Sequence, residues 1–159
     1  MSLTTPLRRA RAHAIGLLLA LAILGCASGG TRRERATPGI SGAPAGATLA
    51  QIYLWRAKPG KLEEYTRYIR EVAEPIDEEA RRAGAFLAVT TYMASDTTVP
   101  WTHMRVFAVR DSAQLRGLGD ALTAAGVRVQ PDSVKRRQQS EYSASLRDRV
   151  GALVVQLVR

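Results

Sequence analysis

The chain has 159 residues and a formal net charge of +9, a length that favours one domain. Six arginines (Arg8, Arg9, Arg11, Arg32, Arg33 and Arg35) and one acid, Glu34, precede Thr48. Residues 48–159 hold 17 basic and 13 acidic side chains, a balance of +4. A nucleic-acid-binding domain concentrates basic charge on one face, so no nucleic-acid partner is expected. The single cysteine excludes an internal disulfide. Apolar burial alone must hold the domain, and about 110 residues suffice for that.

Residues 1–25 read as an export signal. Arg8, Arg9 and Arg11 supply a positive start, and Ala14 to Leu24 is an uncharged apolar run. The run is too short for a bilayer span of roughly 20 residues. It ends in Ile23-Leu24-Gly25-Cys26, followed by Ala27 and Ser28. This ending resembles the bacterial lipoprotein lipobox. The resemblance implies that Cys26 becomes the first residue of the mature chain, diacylated on sulfur and acylated on its amino group. Each buried methylene would add about 0.8 kcal/mol of membrane affinity. Ala27 in place of aspartate implies, in a cell with two membranes, the outer membrane facing the periplasm. Residues 26–48 are rich in Gly, Ala, Ser, Thr and Pro, with Ile40 the one large apolar residue after Cys26. They are expected to form a flexible tether, since they can bury too little to offset their ordering entropy.

The expected domain covers 49–159. A strand from Gln51 to Arg56 ends at the Lys58-Pro59-Gly60-Lys61 corner. Leu62, Tyr65, Ile69, Val72, Ile76 and Ala80 then recur at helical steps up to Arg82. Pro75 predicts a kink or break inside that helix, and Gly84 a C-terminal cap. Phe86 to Met93 reads as a second strand, 95–100 as a hairpin loop and Trp101 to Arg110 as a third strand. Asp111 caps a second helix stopped by Gly126, and Asp132 a third, weaker one stopped by Gly151. Ala152 to Val158 closes the chain as a buried strand.

This order is the split βαβ arrangement with one added helix: an α+β, ferredoxin-like βαββα(α)β fold on a four-stranded antiparallel sheet. Helices can cover only one face of such a sheet. The uniformly aliphatic set, Ile52, Leu54, Met104, Val106, Leu153, Val155 and Leu157, is expected beneath the helices. Gln51, Tyr53, Trp55, Tyr92, Trp101, His103, Arg105 and Phe107 are expected on the open face. That face is too aromatic to leave in water and marks an interface or a ligand groove.

The signature Ile52-Tyr53-Leu54-Trp55-x-x-Lys58-Pro59-Gly60-Lys61-x-Glu63-x-Tyr65, followed by this element order, resembles the dimeric α/β-barrel superfamily. Antibiotic-biosynthesis-type monooxygenases and NIPSNAP-like proteins belong to it. The resemblance covers about residues 50–110, with the last third matched by element order alone. It implies a homodimer in which two sheets pack face to face around a cavity. The candidate cavity residues are Tyr53, Trp55, Tyr92, Trp101, His103 and Arg105.

His103 is the histidine left after leader removal. It reads as a proton shuttle, a metal or haem ligand, or a hydrogen-bonded interior histidine. It has no second histidine, thiolate or strand carboxylate beside it, so no metal is expected. Trp101 and His103 are similar to a tryptophan and a histidine of haem-degrading superfamily members. Their asparagine partner has no counterpart, because the sequence contains no asparagine. Tyr53, Trp55, Tyr92 and Trp101 suit either stacking a flat ligand or packing a dimer core. Arg105 suits a ligand carboxylate, or pairing with Asp96 or Asp148. Glu63, Glu64, Glu71, Glu74, Asp77, Glu78 and Glu79 read as solvated helix surface, and Lys135-Arg136-Arg137 with Arg147 and Arg149 as a basic third helix, a charged exposed face that could meet anionic lipid. No nucleophile elbow, phosphate loop or dinucleotide fingerprint is present, so no cofactor is expected and no catalytic residue is assigned. Two functions remain. One is a membrane-tethered, non-enzymatic homodimer that binds a small aromatic or anionic molecule or serves assembly. The other is a cofactor-independent monooxygenase acting on a small aromatic substrate.

Overall fold

The computed structural model describes residues 43–158. The leader and Cys26 lie outside them. Strand β1 (Leu49–Ala57) is followed by helix α1 (Leu62–Tyr68), a π-helical turn (Ile69–Ala73) and helix α2 (Glu74–Arg82). Strands β2 (Ala88–Met93) and β3 (His103–Val109) form the hairpin. Helices α3 (Ser112–Val129) and α4 (Ser133–Leu146) precede the last strand, β4 (Arg147–Gln156). The sheet order is β2-β3-β1-β4, and every pairing is antiparallel. This is the ferredoxin-like α+β fold. Among the described residues no helix is long and apolar enough to cross a membrane.

The break expected at Pro75 takes the form of the π-helical turn just before it. Proline has no N–H and crowds the carbonyl four residues back. The Glu74 N–H accordingly reaches back five residues to the Ile69 carbonyl, and the helix continues through a turn of larger radius instead of stopping. At the far end, Gly84 adopts φ +81°. Its N–H donates to the Arg81 carbonyl (2.9 Å), and the Ala85 N–H to the Ala80 carbonyl (3.0 Å). Those two bonds make a Schellman cap.

Two glycines read as helix stops have other roles. Gly126 lies inside α3, where the Ile76 side chain of α2 comes so near that an added Cβ would touch it at 3.9 Å. Helix α3 runs to Val129 because the residue that cannot stay helical is Gln130, held extended before Pro131. Gly151 sits in β4 opposite Leu54, whose side chain leaves 3.4 Å for a Cβ. Strand β4 therefore starts at Arg147, five residues earlier than expected, because β1 offers it a ladder as far as Ala57.

The two faces of the sheet are the reverse of the sequence expectation. The helices cover Tyr53, Trp55, His103, Arg105 and Phe107. Phe107 (2% exposed) and Val109 (0%) pack with Ala80, Phe86, Leu118 and Ala125, flanked by Leu49, Tyr53 and Ile76. Trp55 packs with Tyr65, Ile69 and Leu146. Phe107 meets Phe86 edge-on at 5.1 Å and Tyr53 at 5.9 Å, contacts worth about 0.5–1.5 kcal/mol each beyond area burial. The aliphatic set lies on the other face. There Tyr92–Met104–Leu54–Gly151 and Thr90–Val106–Ile52–Leu153 form adjacent rows across the four strands.

The Gly84 cap gives a direct stability test. Alanine at φ +81° places Cβ in the disfavoured left-handed region, at a cost of about 1–2 kcal/mol. Gly84→Ala should lower the unfolding free energy by that amount, read as a lower urea midpoint with the m-value unchanged. An unaffected midpoint would contradict the cap geometry.

Candidate functional site

The covered face of the sheet carries the side chains with chemistry. The β1–β3 register sets Tyr53 opposite Arg105 and Trp55 opposite His103. Beside β1, strand β4 has a bulge between the Leu54 and Trp55 positions: Leu54 pairs with Gly151 but Trp55 pairs with Arg149, leaving Val150 as the extra residue. A one-residue slip swaps the two faces of a strand. The bulge thereby turns Arg149 and Arg147 toward the helices, where Val150 and Asp148 would otherwise point. The Arg149 guanidinium lies 5.0 Å from the Tyr53 ring centre. That of Arg147 lies over Trp55, its central carbon 3.4 Å from the ring centre, and 5.5 Å from the Tyr65 ring centre. A guanidinium over an aromatic face is attracted by the ring quadrupole.

These groups and the helices enclose a cavity of about 140 Å³. Tyr53, Trp55, Arg105, Phe107 and Arg147 come from the strands, Tyr65, Tyr68, Ile69 and Ala73 from α1 and the π-helical turn, and Leu122 from α3. The wider turn at Ile69–Ala73 supplies part of this wall, and π turns recur at functional sites. A second hollow, about 300 Å³, lies between that turn, α3 and α4 and shares Tyr68 and Arg147 with the first. Its lining is more polar, including Thr123, Arg136, Gln139, Ser140 and Ser143.

Two guanidinium groups reach the inner cavity, and they are held differently. Arg105, its side chain 12% exposed, pairs with Asp77 of α2, which is 5% exposed. Asp77 is thus an interior residue, not solvated helix surface, and it replaces the expected partners Asp96 and Asp148. Burial pushes its carboxyl up to about 6, against the pull of Arg105. Arg147 Nε donates to Ser143 Oγ at 3.0 Å, and no carboxylate pairs with Arg147 among the described residues. Burial lowers its pKa, with Arg105 adding to the effect. Each arginine keeps one buried donor without a partner among the described residues, Arg105 Nε and Arg147 Nη1. Burial also pushes the Tyr65 hydroxyl up to about 12.

His103 does not line this cavity. It is fully buried, 4.6 Å edge-on from Tyr65, with Nε2 3.1 Å from Thr66 Oγ1 and Nδ1 3.0 Å from Thr102 Oγ1. The Thr66 hydroxyl donates its proton to the Leu62 carbonyl at 2.8 Å. It must therefore accept from His103, which places a ring proton on Nε2; the Thr102 hydroxyl has two acceptors in reach, the Trp55 carbonyl at 3.3 Å and Nδ1 at 3.0 Å, and burial, which disfavours the charged ring, assigns its proton to Nδ1. The ring is a neutral tie between β3 and α1. Among the described residues no three His, Cys, Asp or Glu side chains converge as metal ligands would.

Of the six expected cavity residues, Tyr53, Trp55 and Arg105 come together. Tyr92 pairs with Met104 on the opposite face. Trp101 lines a separate hollow of about 520 Å³ under the hairpin loop, with Arg56, Leu62 and Met93. Sequence reasoning missed Asp77, Tyr68 and Arg147. Asp77 carried a signal: it lies four residues after Ala73 and three before Ala80, on the inward stripe of the helix. Arg147 and Arg149, expected on the basic third helix, lie in β4 instead, and the bulge that aims them leaves no mark in the sequence pattern.

No family model matches the chain, and no curated protein matches it in sequence. Among solved structures it is similar to HapK from Hahella chejuensis, at TM-score 0.48 and 10% identity over 69% of this chain and 92% of that one. A protein of unknown function from Nitrosomonas europaea gives TM-score 0.48 and 16% identity over 73% and 94%. A dimeric protein of unknown function with a ferredoxin-like fold from Bacteroides fragilis gives 0.44 and 11% over 69% and 94%. These are likenesses of fold, and the fold assignment itself rests on the strand order.

Burial holds the His103 pKa below its ordinary 6.5. Above that value the ring is neutral in both folded and unfolded chains and costs nothing. As pH falls through 6.5 the unfolded chain takes up the proton and the native one resists, so stability is lost on the acid side, by up to about 1.4 kcal/mol per pH unit. Replacing the ring by an amide, His103→Gln, should flatten the stability profile between about pH 6.5 and pH 5. Parallel profiles in chemical denaturation would show that the ring is not held neutral.

Proposed function

We propose that this chain is a small-ligand-binding domain, tethered to a membrane through lipid on Cys26 and working as a homodimer. The observation that carries the binding part is the cavity between sheet and helices. It is walled by aromatic rings and reached by two guanidinium groups that each retain an unpartnered buried donor. Binding sites combine apolar walls with a few convergent polar groups in this way. With both nitrogens of His103 already engaged, the groups facing the cavity are suited to holding a molecule. That favours binding over oxygen chemistry.

The dimer is proposed to form through the aliphatic face. Ile52, Leu54, Tyr92, Met104, Val106 and Val155 are each only partly covered and Leu153 is 43% exposed. Thr90 is the polar side chain in their two middle rows. A contiguous apolar surface of this kind marks an interface. A second copy offers the same face, so an isologous pair of sheets stacked about 10 Å apart would bury both. The lipid anchor rests on the lipobox resemblance, and Ala27 after the cysteine supports the outer membrane, facing the periplasm, in a cell with two membranes.

Native mass spectrometry of the protein drawn from its own membrane tests the three parts together. A doubled mass, acyl chains on Cys26 and a small retained molecule are expected; an unmodified, empty monomer would overturn the proposal. The interface has its own test. Val106→Glu sets a charge in the middle row of the aliphatic face, opposite Ile52, and should convert the dimer to a folded monomer in sedimentation. A dimer of unchanged stability would place the interface elsewhere.

A further inference from the structure

The geometry points to a small planar monocarboxylate of the benzoate class as the ligand of the inner cavity, its carboxylate on Arg147 and its ring among Tyr53, Tyr68 and Phe107. This inference rests on the binding-domain reading above.

Charge comes first. Arg105 and Arg147 bring two positive charges to the cavity and Asp77 returns one negative charge to Arg105. Arg149, over Tyr53, adds to the excess. A partly buried guanidinium with no carboxylate is the kind of group whose desolvation an anion offsets. One uncompensated guanidinium in the wall fits a monoanion better than a phosphate dianion.

The donors come next. Arg147 Nη1 is buried and unpartnered, while Nε is fixed by Ser143 Oγ at 3.0 Å and the guanidinium rests on Trp55. The fork is thus held in position before any ligand arrives, which cuts the ordering cost of binding. Guanidinium groups recognise carboxylates edge-on, in the plane of the fork. With the guanidinium carbon 3.4 Å over the Trp55 ring centre, a carboxylate bound to that fork lies beside the ring, and a flat ligand extends from it among the aromatic walls.

Size and polarity complete the class. A cavity of about 150 Å³ holds one benzene ring, and this one has about 140 Å³. Arg147 and Tyr68 stand where the inner cavity meets the polar outer hollow. A ligand arriving that way leaves its carboxylate at the boundary and its ring inside. A long acyl tail would have to lie against Thr123, Gln139 and Ser140 in the outer hollow, so a fatty acid fits poorly.

The test is calorimetric titration of the full-length chain in detergent with benzoate, benzyl alcohol, acetate and inorganic phosphate, followed by Trp fluorescence in a Trp101→Phe background. Benzoate should bind saturably and quench Trp55. Benzyl alcohol keeps the ring without the charge and acetate the charge without the ring; each should bind at least about tenfold more weakly. Arg147→Gln should weaken benzoate by about tenfold or more and leave benzyl alcohol unchanged. Should that variant fold poorly, Ser143→Ala, which frees the Arg147 fork without removing it, should still weaken benzoate selectively. Benzyl alcohol binding as tightly as benzoate would overturn the carboxylate assignment while leaving a ligand-binding cavity in place. Phosphate competing on equal terms would overturn the planar class. No binding of any probe would overturn the inference and remove the cavity as the basis of the binding-domain reading.

Discussion

The ion pair between Arg105 and Asp77 ties β3 to α2 and decides which face of the sheet the helices cover. Breaking a pair this well buried by removing one partner costs about 3–5 kcal/mol, because a charge is left without compensation. Arg105 shares its face with Tyr53, Trp55, His103 and Phe107. Once Arg105 finds Asp77, the whole set must lie under the helices. His103 then meets Thr66 of α1, and Ser143 of α4 takes one of the Arg147 donors, its Nε. The aliphatic face has no such requirements. Ile52, Leu54, Met104 and Val106 have no polar tips, so any dry surface suits them.

This explains why ranking the faces by hydrophobicity misleads here. The aliphatic set is the greasier of the two, and hydrophobicity alone would bury it first. Burial against a sheet's own helices, however, also has to satisfy polar groups, and an unmet donor costs about 1–3 kcal/mol. The helices supply Asp77, Thr66 and Ser143, and these match the aromatic and basic face. Alternation along β1 and β3 made the two sets of residues legible, and the element order made the fold legible. What selects the covered set is a helix carboxylate, Asp77. Its place on the inward stripe was readable in principle, though it was masked by the acids around it. The position of Pro75 foretold an irregular helix, and Gly84 its cap. Gly126 and Gly151 misled because a glycine serves a close approach as readily as a stop, and the partners that make the approach, Ile76 and Leu54, are distant in sequence.

Two local irregularities then turn a covered face into a cavity. The π-helical turn opens the helix wall at Ile69–Ala73, and the β4 bulge at Val150 aims Arg147 beneath it. Neither alone would suffice. Without the bulge, Asp148 would stand near Ala57 in place of Arg147, and the space would gain a negative charge. Without the wider turn, Tyr68 and Ala73 would not stand where they line the space. That both irregularities meet at one place is the strongest local sign that the site is selected for something other than packing.

The energetics lead to the same view. Each orphaned donor forgoes about 1–3 kcal/mol. Domains of this size are stable by only about 5–15 kcal/mol in total. Apolar side chains of similar volume in place of Arg105, Asp77 and Arg147 would be expected to match or exceed the stability of the charged set. A sequence shaped by packing alone would drift toward that solution. Retaining the hollow, the Arg147 fork over Trp55 and the unpaired donors together is a stability deficit, and an anion of the kind proposed above would recover part of it.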